Sequence, residues 1–246
     1  MRLENTFLPV EGVGPTTERR LWDAGVTHWE DFDGSVLGPT RGERISSFID
    51  RGVKALDAGE IDFFDERLPS AEHWRYWRNF RDKAVAVDIE TTGLDPDRAM
   101  VTTVTVRQGD DVRTLVRGDD LTGASLREVF DTAELLITYN GKQFDVPFLE
   151  SAFDVDLNHP HLDCMYVARA AGLSGGLTEV ERTLGLERRL PEVDGRDAVR
   201  LWHAHEAGHD GALERLIRYN QEDVRHLPTI LDRAVERLTP EPFLDT

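Results

Sequence analysis

The chain has 246 residues, a length that favours one large and one small domain, and its 39% of hydrophobic and 31% of charged residues are typical of a globular protein. No apolar run approaches the roughly 18 residues needed to span a bilayer, and the N-terminal sequence lacks the apolar core of a secretory signal. We therefore expect a cytoplasmic protein with no membrane partner. Because Cys164 is the single cysteine, an internal disulfide and a cysteine-based zinc site are excluded, and any metal must be held by oxygen or imidazole.

The charge balance is unusually acidic, with 47 acidic residues against 29 basic ones and a formal net charge of -18. Such a value normally argues against a nucleic-acid partner. The lysines are Lys54, Lys83 and Lys142, so 26 of the 29 basic residues are arginine, and the acids are spread over the whole chain. We interpret this as a halophilic composition, a hydrated acidic surface suited to a high-salt cytoplasm. The composition alone therefore leaves the partner undecided.

The first sixty residues contain a weak internal repeat, in which VGPTTERRL at 13–21 is echoed by LGPTRGERI at 37–45. Each copy predicts a glycine turn and a short helix, from Thr16 to Ala24 and from Thr40 to Gly52. The first copy resembles a helix-hairpin-helix motif, where Gly12 and Gly14 would let backbone N–H groups reach a phosphate. Such turns also simply join packed helices, and the second copy lacks the Gly-x-Gly. We predict a helical, helix-hairpin-helix-like domain over residues 1–58.

Residues 59–83 are predicted to be a basic, aromatic linker between this domain and the next. The aromatic side chains of Trp74, Trp77 and Phe80, interleaved with arginines, could stack on single-stranded bases while the guanidinium groups neutralise phosphates. The same three residues have the i, i+3 spacing of one helix face, so they could equally pack against the next domain. The sequence leaves both interpretations open.

From residue 84 onward, the periodicity predicts an α/β domain that extends to about residue 240. Three strands come first, AVAVDIE, MVTTVTVRQ and DVRTLVRG, each bounded by turn residues. A helix, the strand ELLITYN and further helices follow, the last of them a single long helix from Gly211 to Leu238. Strands followed by interleaved helices favour a mixed sheet flanked by helices.

Two acids lie at the end of the first strand, in the segment Val-Asp88-Ile-Glu90-Thr-Thr-Gly. Side chains alternate along a strand, so Asp88 and Glu90 point to the same side, roughly 6.5 Å apart. Desolvating two carboxylates on one apolar strand costs several kcal/mol unless hydrogen bonds or a cation compensate, and hard divalent cations with oxygen ligands are a common compensation. An Asp-x-Glu alone is common by chance, so its significance depends on partners elsewhere in the chain.

Candidate partners occur in two later segments. Asp145 follows a buried strand and Asn140-Gly141 and is embedded among apolar residues, although an Asp near a helix start can also be a simple cap. In the C-terminal helix, Tyr219 and Asp223 have i, i+4 spacing, so a phenol and a carboxylate project from the same face. Each feature alone is common in proteins, but the order of these residues along the chain indicates a known family.

In the order and local context of these four acids and Tyr219, the chain resembles the DEDD superfamily of 3′-to-5′ exonucleases with a ribonuclease H-like (DnaQ-like) fold. DIETTGL resembles the first exonuclease motif, NGKQFDVPFL the second and YNQED the third. The Tyr-x-x-x-Asp spacing of the third motif is that of the tyrosine type, DEDDy. Within the superfamily the chain is most similar to YprB-type domains, through Leu68-Pro69, Trp74-Arg75 and the HLD at 161–163.

The resemblance implies two divalent ions, Mg or Mn, that cleave a phosphodiester bond. Asp88 would bridge both ions, Glu90 and Asp223 would complete the site of the ion that activates the attacking water, and Asp145 would hold the second ion. Tyr219 would orient the water rather than act as a base, because its ordinary pKa is near 10. The expected partner is nucleic acid, DNA or RNA, entering as a single-stranded 3′ end.

Weaker assignments concern residues beside these motifs. Thr91 and Thr92 are predicted to contact the terminal nucleotide, and Asn140 and Lys142 to contact substrate phosphate, although Asn-Gly is also a common turn pair. Two alternatives to an exonuclease remain open. A ribonuclease H-like endonuclease would share the two-metal chemistry, and a catalytically silent nucleic-acid-binding protein would share the fold.

Overall fold

The structure is a computed structural model that describes residues 1–243. The chain divides into two compact units, one formed by residues 1–81 with residues 235–243, and one formed by residues 82–234. The predicted domain boundaries at residues 58, 83 and 240 stay predictions. Among the described residues, no helix combines the length and the apolar character that crossing a bilayer requires.

The unit of residues 1–81 is helical, with α1 (Pro15–Asp23), α2 (Pro39–Ala58), α3 (Asp62–Asp65) and α4 (Trp77–Phe80). Each of the two longer helices begins with a proline at its first position, where the missing N–H costs nothing. The prediction that the second helix ends at Gly52 is wrong, because α2 continues to Ala58 and stops at Gly59, which adopts φ 73°. Gly52 instead allows the helix to approach the Trp29 ring, which a Cβ there would meet at 3.0 Å.

Three aromatic side chains of the predicted linker are buried. Trp74, Trp77 and Phe80 are 7%, 1% and 2% exposed, so the interpretation of base stacking is wrong for these three, and their packing against the next domain stays a prediction. Arg75 is also buried, and it donates to Glu18 at 3.0 Å and to Glu72 at 2.6 Å. Its charge is therefore compensated within the unit.

The unit of residues 82–234 contains a five-stranded mixed sheet in the order β3-β2-β1-β4-β5. The central strand β1 pairs antiparallel with β2 and parallel with β4, and the predicted mixed α/β architecture is confirmed. A register shift between Glu90 and Thr91 interrupts the β1–β2 ladder where β1 ends. The strands are β1 (Ala84–Thr91), β2 (Val101–Gln108), β3 (Asp111–Val116), β4 (Leu135–Thr138) and β5 (His161–Asp163).

Seven helices accompany this sheet in the described part of the chain. The predicted long helix from Gly211 to Leu238 is wrong, since it is two helices, α10 and α11, separated at His226. Pro228, the second residue of α11, lacks the N–H that a continuous helix would need. The helices are α5 (Gly123–Phe130), α6 (Asp145–Phe153), α7 (Cys164–Ala170), α8 (Leu177–Leu184), α9 (Gly195–Glu206), α10 (Ala212–Arg225) and α11 (Leu227–Leu238).

The two faces of β1 have different neighbours. Val85, Val87 and Ile89 belong to a hydrophobic cluster that includes residues of α5 and α6. Asp88, which alternates with them, accepts a hydrogen bond from Asn220 on α10. The fold thus directs the acidic positions of β1 toward α10.

Candidate active site

Three carboxylates from β1 and α10 converge. One oxygen each from Asp88, Glu90 and Asp223 lies within 4.8 Å of the other two. Glu90 and Asp223 are buried, and Asp88 is partly exposed. Alternation along β1 places the first two on the same side, and α10 packs Asp223 against that side. This separation suits shared coordination of one cation by oxygen ligands.

The fourth predicted acid, Asp145, is the first residue of α6 and lines the same cavity. Its Oδ1 accepts a hydrogen bond from the backbone N–H of Ile89 at 3.1 Å, so the carboxylate is tied to β1 between Asp88 and Glu90. It is 4% exposed. The N-cap of α6 is Phe144, so Asp145 occupies the first helical position and not the cap position.

The cavity has a volume of about 480 Å³ and is open enough to admit a ligand between β1, α6, α9 and α10. All four acids and Tyr219 line it, together with Thr91 and Asn140 among the predicted substrate contacts. The N-terminal end of α9 also lines the cavity, through Asp194, Arg196 and Val199. No pattern in the sequence predicted these three residues.

Burial and mutual repulsion make these carboxyl groups difficult to ionise. Burial raises the pKa of Asp88 well above its usual value, and the charges of Asp223 and Asp145 raise it further. Burial is also the main cause that raises the pKa of Glu90, and it raises that of Asp145 to about 7. The pKa of Asp223 is raised by burial to about 6, against the lowering influence of Arg188. A bound cation would relieve this electrostatic cost.

Asn220 supports Asp88 and was not anticipated from the sequence. It is fully buried and its Nδ2 donates to Asp88 Oδ2 at 2.6 Å. Its Oδ1 accepts from Thr103 at 3.0 Å and from Thr105 at 2.7 Å, so the amide orientation is fixed by β2. The available signal was its position in YNQED, three residues before Asp223 on the same face of α10.

Arg188 is a second unanticipated residue of the site. It lies between α8 and α9, its side chain is 5% exposed, and its Nη2 donates to Asp223 Oδ1 at 2.5 Å. Nη1 donates to Glu181 at 2.9 Å, and the other oxygen of Glu181 contacts His226 Nδ1 at 2.9 Å. The buried chain of contacts thus runs from Asp223 through Arg188 and Glu181 to the junction of α10 and α11. No spacing in the sequence indicates it.

Tyr219 lies one turn before Asp223, as predicted, and its ring is 5.5 Å from the Arg188 guanidinium carbon. Burial is the main cause that raises the pKa of its phenol far above the ordinary value, and the nearby carboxylates of Asp223 and Glu90 add to it. The hydroxyl therefore stays protonated and able to donate a hydrogen bond at any physiological pH.

The predicted substrate contacts divide into two groups. Thr91 and Asn140 line the cavity, whereas Thr92 and Lys142 do not. The Thr92 hydroxyl accepts a hydrogen bond from Met100 N–H at 2.9 Å, which uses it within the loop after β1. Lys142 is exposed, and its backbone N–H donates to Asp163 at 3.2 Å.

Asp163 organises the turn that carries Asn140. Its carboxylate accepts from the backbone N–H groups of Asn140 at 2.7 Å, Lys142 at 3.2 Å and Met165 at 3.0 Å. Asn140 adopts φ 65°, a left-handed conformation that asparagine tolerates. Gly141 is required by space, because a Cβ there would lie 2.4 Å from the Thr138 hydroxyl oxygen.

Gly12 and Gly14 belong to the unit of residues 1–81. Gly12 adopts φ 82°, and Gly14 is the extended residue that precedes α1. The backbone of the turn therefore needs glycine at position 12 for its conformation, while position 14 adopts a conformation open to other residues.

Comparison with known proteins identifies the family of the larger unit. Residues 85–235 match the family model described as the RNase_H superfamily. The chain belongs to the ribonuclease H superfamily. The match spans every strand of the sheet except the first residue of β1, and it includes all four acids of the cavity. A search among curated proteins found no match.

Solved structures of other proteins are similar to this chain at low sequence identity. The family B DNA polymerase of the archaeon Pyrobaculum calidifontis matches with a TM-score of 0.51 and 19% identity over 62% of this chain and 24% of the polymerase. A nuclease in its apo form matches with a TM-score of 0.48 and 21% identity over 70% of this chain and 78% of its own. The Aedes aegypti Nibbler EXO domain matches with a TM-score of 0.46 and 13% identity over 69% of this chain and 85% of its own.

Proposed function

We propose that this member of the ribonuclease H superfamily hydrolyses phosphodiester bonds in nucleic acid, as a 3′-to-5′ exonuclease of the tyrosine-type DEDD class and its YprB-type branch. The observation that carries the proposal is the convergence of Asp88, Glu90 and Asp223 within 4.8 Å, in a cavity that Asp145 also lines. The order of the three motifs and the Tyr-x-x-x-Asp spacing support the subclass.

The donor set fits two divalent cations. Four buried or partly buried carboxylates whose pKa values are raised by burial gain stability from a bound cation, and oxygen donors alone favour Mg or Mn. We assign Asp88 to both ions, Glu90 and Asp223 to one and Asp145 to the other. Ions held by these carboxylates would supply a lower pKa for an attacking water and neutralisation of charge on the leaving oxygen.

The chain's own side chains orient the reaction. Tyr219, held protonated by its surroundings, donates a hydrogen bond that directs the attacking water and does not remove its proton. Arg188 holds one oxygen of Asp223 and leaves the second oxygen free for coordination. Asn220 does the same for Asp88 by occupying Oδ2. Fixed orientation of the ligands removes reorganisation from the reaction.

The proposed substrate is a single-stranded 3′ end. Thr91 and Asn140 line the cavity and would contact the terminal nucleotide and its phosphate. We retain Thr92 and Lys142 as contacts of the strand outside that cavity. Lys142 has a charged and exposed side chain suited to this, whereas for Thr92 only backbone groups are proposed.

We further propose that the N-terminal helical unit holds nucleic acid through its helix-hairpin-helix-like turn at Gly12 and Gly14. A cavity of about 550 Å³ beside this turn is lined by Arg44, Arg51 and Arg67 together with Glu11 and Glu43. Gly12→Ala would strain the turn at φ 82°, and Gly14→Ala serves as its matched control because position 14 is extended. Weaker DNA binding by the first variant alone supports the proposal, and equal binding by both contradicts it.

The test of the function uses single-stranded and duplex DNA and RNA labelled at either end, incubated with Mg or Mn at high salt. A ladder of mononucleotides released from the 3′ end supports the exonuclease. Internal products would identify an endonuclease, and binding without cleavage would identify a silent binding protein. Asp88→Asn, measured in parallel, distinguishes cleavage by this site from a contaminating nuclease.

A further inference from the structure

A second cavity in the unit of residues 82–234 has a basic wall. It has a volume of about 260 Å³ and lies beside α10 and the β2–β3 turn. Its basic lining residues are Arg107, Arg189, Arg218 and Arg225, and its acidic ones are Asp110 and Glu222. Because acids outnumber bases 47 to 29 in the whole chain, this cavity reverses the overall charge balance.

Most of this positive charge is not compensated by carboxylates. Arg107 donates to the backbone oxygens of Gly109, at 2.8 Å, and of Arg225. Arg218 donates to the Glu214 backbone oxygen at 3.3 Å, and over residues 1–243 neither it nor Arg189 has an ion-pair partner. Guanidinium groups do not lose their proton in proteins, so the charges persist at any working pH.

The one buried carboxylate of this cavity is already engaged. Glu222 is 3% exposed, accepts a hydrogen bond from Arg225 at 3.0 Å and accepts another from the backbone N–H of Arg189. Glu222 therefore compensates the charge of one guanidinium group, that of Arg225, and holds the backbone of the loop between α8 and α9 at Arg189. The remaining guanidinium groups surround a space large enough for a tetrahedral anion.

We propose that this arginine cavity binds a backbone phosphate of the same nucleic-acid strand whose end enters the carboxylate cavity. The inference rests on the proposed function and adds a second phosphate subsite to it. Guanidinium groups match phosphate oxygens with paired hydrogen bonds, which remain effective where salt has weakened long-range attraction.

The two cavities are connected through shared elements. Arg188 contacts Asp223 in the first cavity and its neighbour Arg189 lines the second. On α10, Tyr219 and Asp223 line the first cavity, while Arg218 and Arg225 line the second. The two cavities have no lining residue in common, and the proposal assigns the phosphate held by the arginines to a different nucleotide from the one that reacts.

Binding without cleavage tests this subsite. The double variant Arg189→Ala/Arg218→Ala is compared with Arg182→Ala/Arg200→Ala, which removes the same charge from exposed positions outside both cavities. Fluorescence anisotropy with a labelled 12-nucleotide single strand, in EDTA and at equal salt, gives the Kd. We expect the first variant to raise Kd about tenfold and to reduce the slope of log Kd against log salt by about 1, and the control to stay within about twofold of wild type. Equal Kd values for both double variants would overturn the subsite.

A second arm identifies the source of the phosphate. Wild type and the Arg189→Ala/Arg218→Ala variant are titrated with inorganic phosphate and with a nucleoside monophosphate. If the variant loses affinity for these small anions and keeps full affinity for the strand, the cavity takes a free ligand and the proposal is wrong. Loss of affinity for the strand supports it.

Cleavage assays separate this inference from the function on which it rests. With Mn, the variant should raise KM for the 12-nucleotide strand about tenfold, keep kcat and leave KM for a dinucleotide unchanged. If the wild type cleaves, and Arg189→Ala/Arg218→Ala binds and cleaves like Arg182→Ala/Arg200→Ala, the subsite is overturned and the proposed function stands. A wild type that never cleaves, with strand affinity lost in the variant, would overturn the function and leave the subsite standing.

Discussion

Arg188 donates to Asp223 Oδ1 at 2.5 Å and to Glu181 at 2.9 Å, from a side chain that is 5% exposed. Asp223 would otherwise present a buried charge to Asp88 and Glu90 with no compensating cation from the chain. A buried arginine with two carboxylate partners is costly to disrupt, since removing it leaves those partners unpaired. The pair therefore fixes both the charge and the orientation of one proposed metal ligand.

Replacing this arginine should impair catalysis through Asp223. We expect Arg188→Gln to lower kcat about 100-fold with little change in KM, and Arg188→Lys to recover part of the loss because it keeps the charge. Without the guanidinium, the pKa of Asp223 rises further, so the acidic limb of the pH–rate profile should move to higher pH. Arg182→Gln, on the exposed face of α8, is the control. An unshifted profile in Arg188→Gln would contradict this role.

Tyr219→Phe should lower kcat about 100-fold without weakening metal binding, because it removes a hydrogen-bond donor and no carboxylate. The ring that lies near Arg188 is retained, so the fold should be unaffected. Steady-state kinetics and a Mn titration measure the two effects separately. Tyr166→Phe removes an exposed phenol outside the cavity and should leave both values unchanged. Full activity in Tyr219→Phe would exclude the proposed orienting role.

The sheet and most helices could be predicted because their patterns are local. Alternation in AVAVDIE defines β1 and the common side of Asp88 and Glu90, and the i, i+4 relation puts Tyr219 and Asp223 on one face of α10. The break at His226 was missed because apolar periodicity continues through it. The prediction that the second helix ends at Gly52 was wrong for a different reason. That glycine lies inside α2 and allows close packing against the Trp29 ring.

The supporting residues of the site were harder to predict because tertiary contacts define them. Arg188 lies in a loop where no period applies, and only the folded chain brings it to Asp223. Thr92 and Lys142 lie outside the cavity although each is close in sequence to a residue that lines it, and their predicted contacts with substrate stay proposals. A turn reverses side-chain direction within one or two residues, so neither lines the cavity that contains Thr91 and Asn140. The catalytic roles assigned to the acids stay proposals.

Asp88→Asn should abolish hydrolysis and raise the stability of the metal-free protein. The amide replaces a carboxyl group whose ionised form is disfavoured by burial and by the charges of Asp223 and Asp145, while its oxygen can still accept the hydrogen bond from Asn220. Thermal unfolding in EDTA and cleavage with Mn measure the two effects. Asp119→Asn removes a charge at an exposed position and should change neither. Retained cleavage in Asp88→Asn would show that the carboxylate assignment is wrong.

The metal-free protein should lose stability as pH rises. The pKa of Asp145 rises on folding from 3.8 to about 7 because of burial, so between about pH 4 and pH 7 the native state holds a proton that the unfolded chain has released. The free energy of unfolding therefore falls through this window, by a few kcal/mol, and this contribution is constant above it. Added Mn should raise the melting temperature more at pH 8 than at pH 5. An equal increase at both values would contradict the metal site.

The acidic surface should make stability depend on salt. A net charge of -18 repels itself most strongly at low ionic strength, where the Debye length exceeds the spacing between surface charges. We expect the melting temperature to rise steeply between about 0.01 M and 1 M KCl, and the protein to unfold on dilution into low salt. Sucrose at matched osmolality is the control, because it favours compact states without screening charge. Full stability in the absence of salt, or an equal gain in sucrose, would refute the halophilic interpretation and leave the acids as ordinary surface residues.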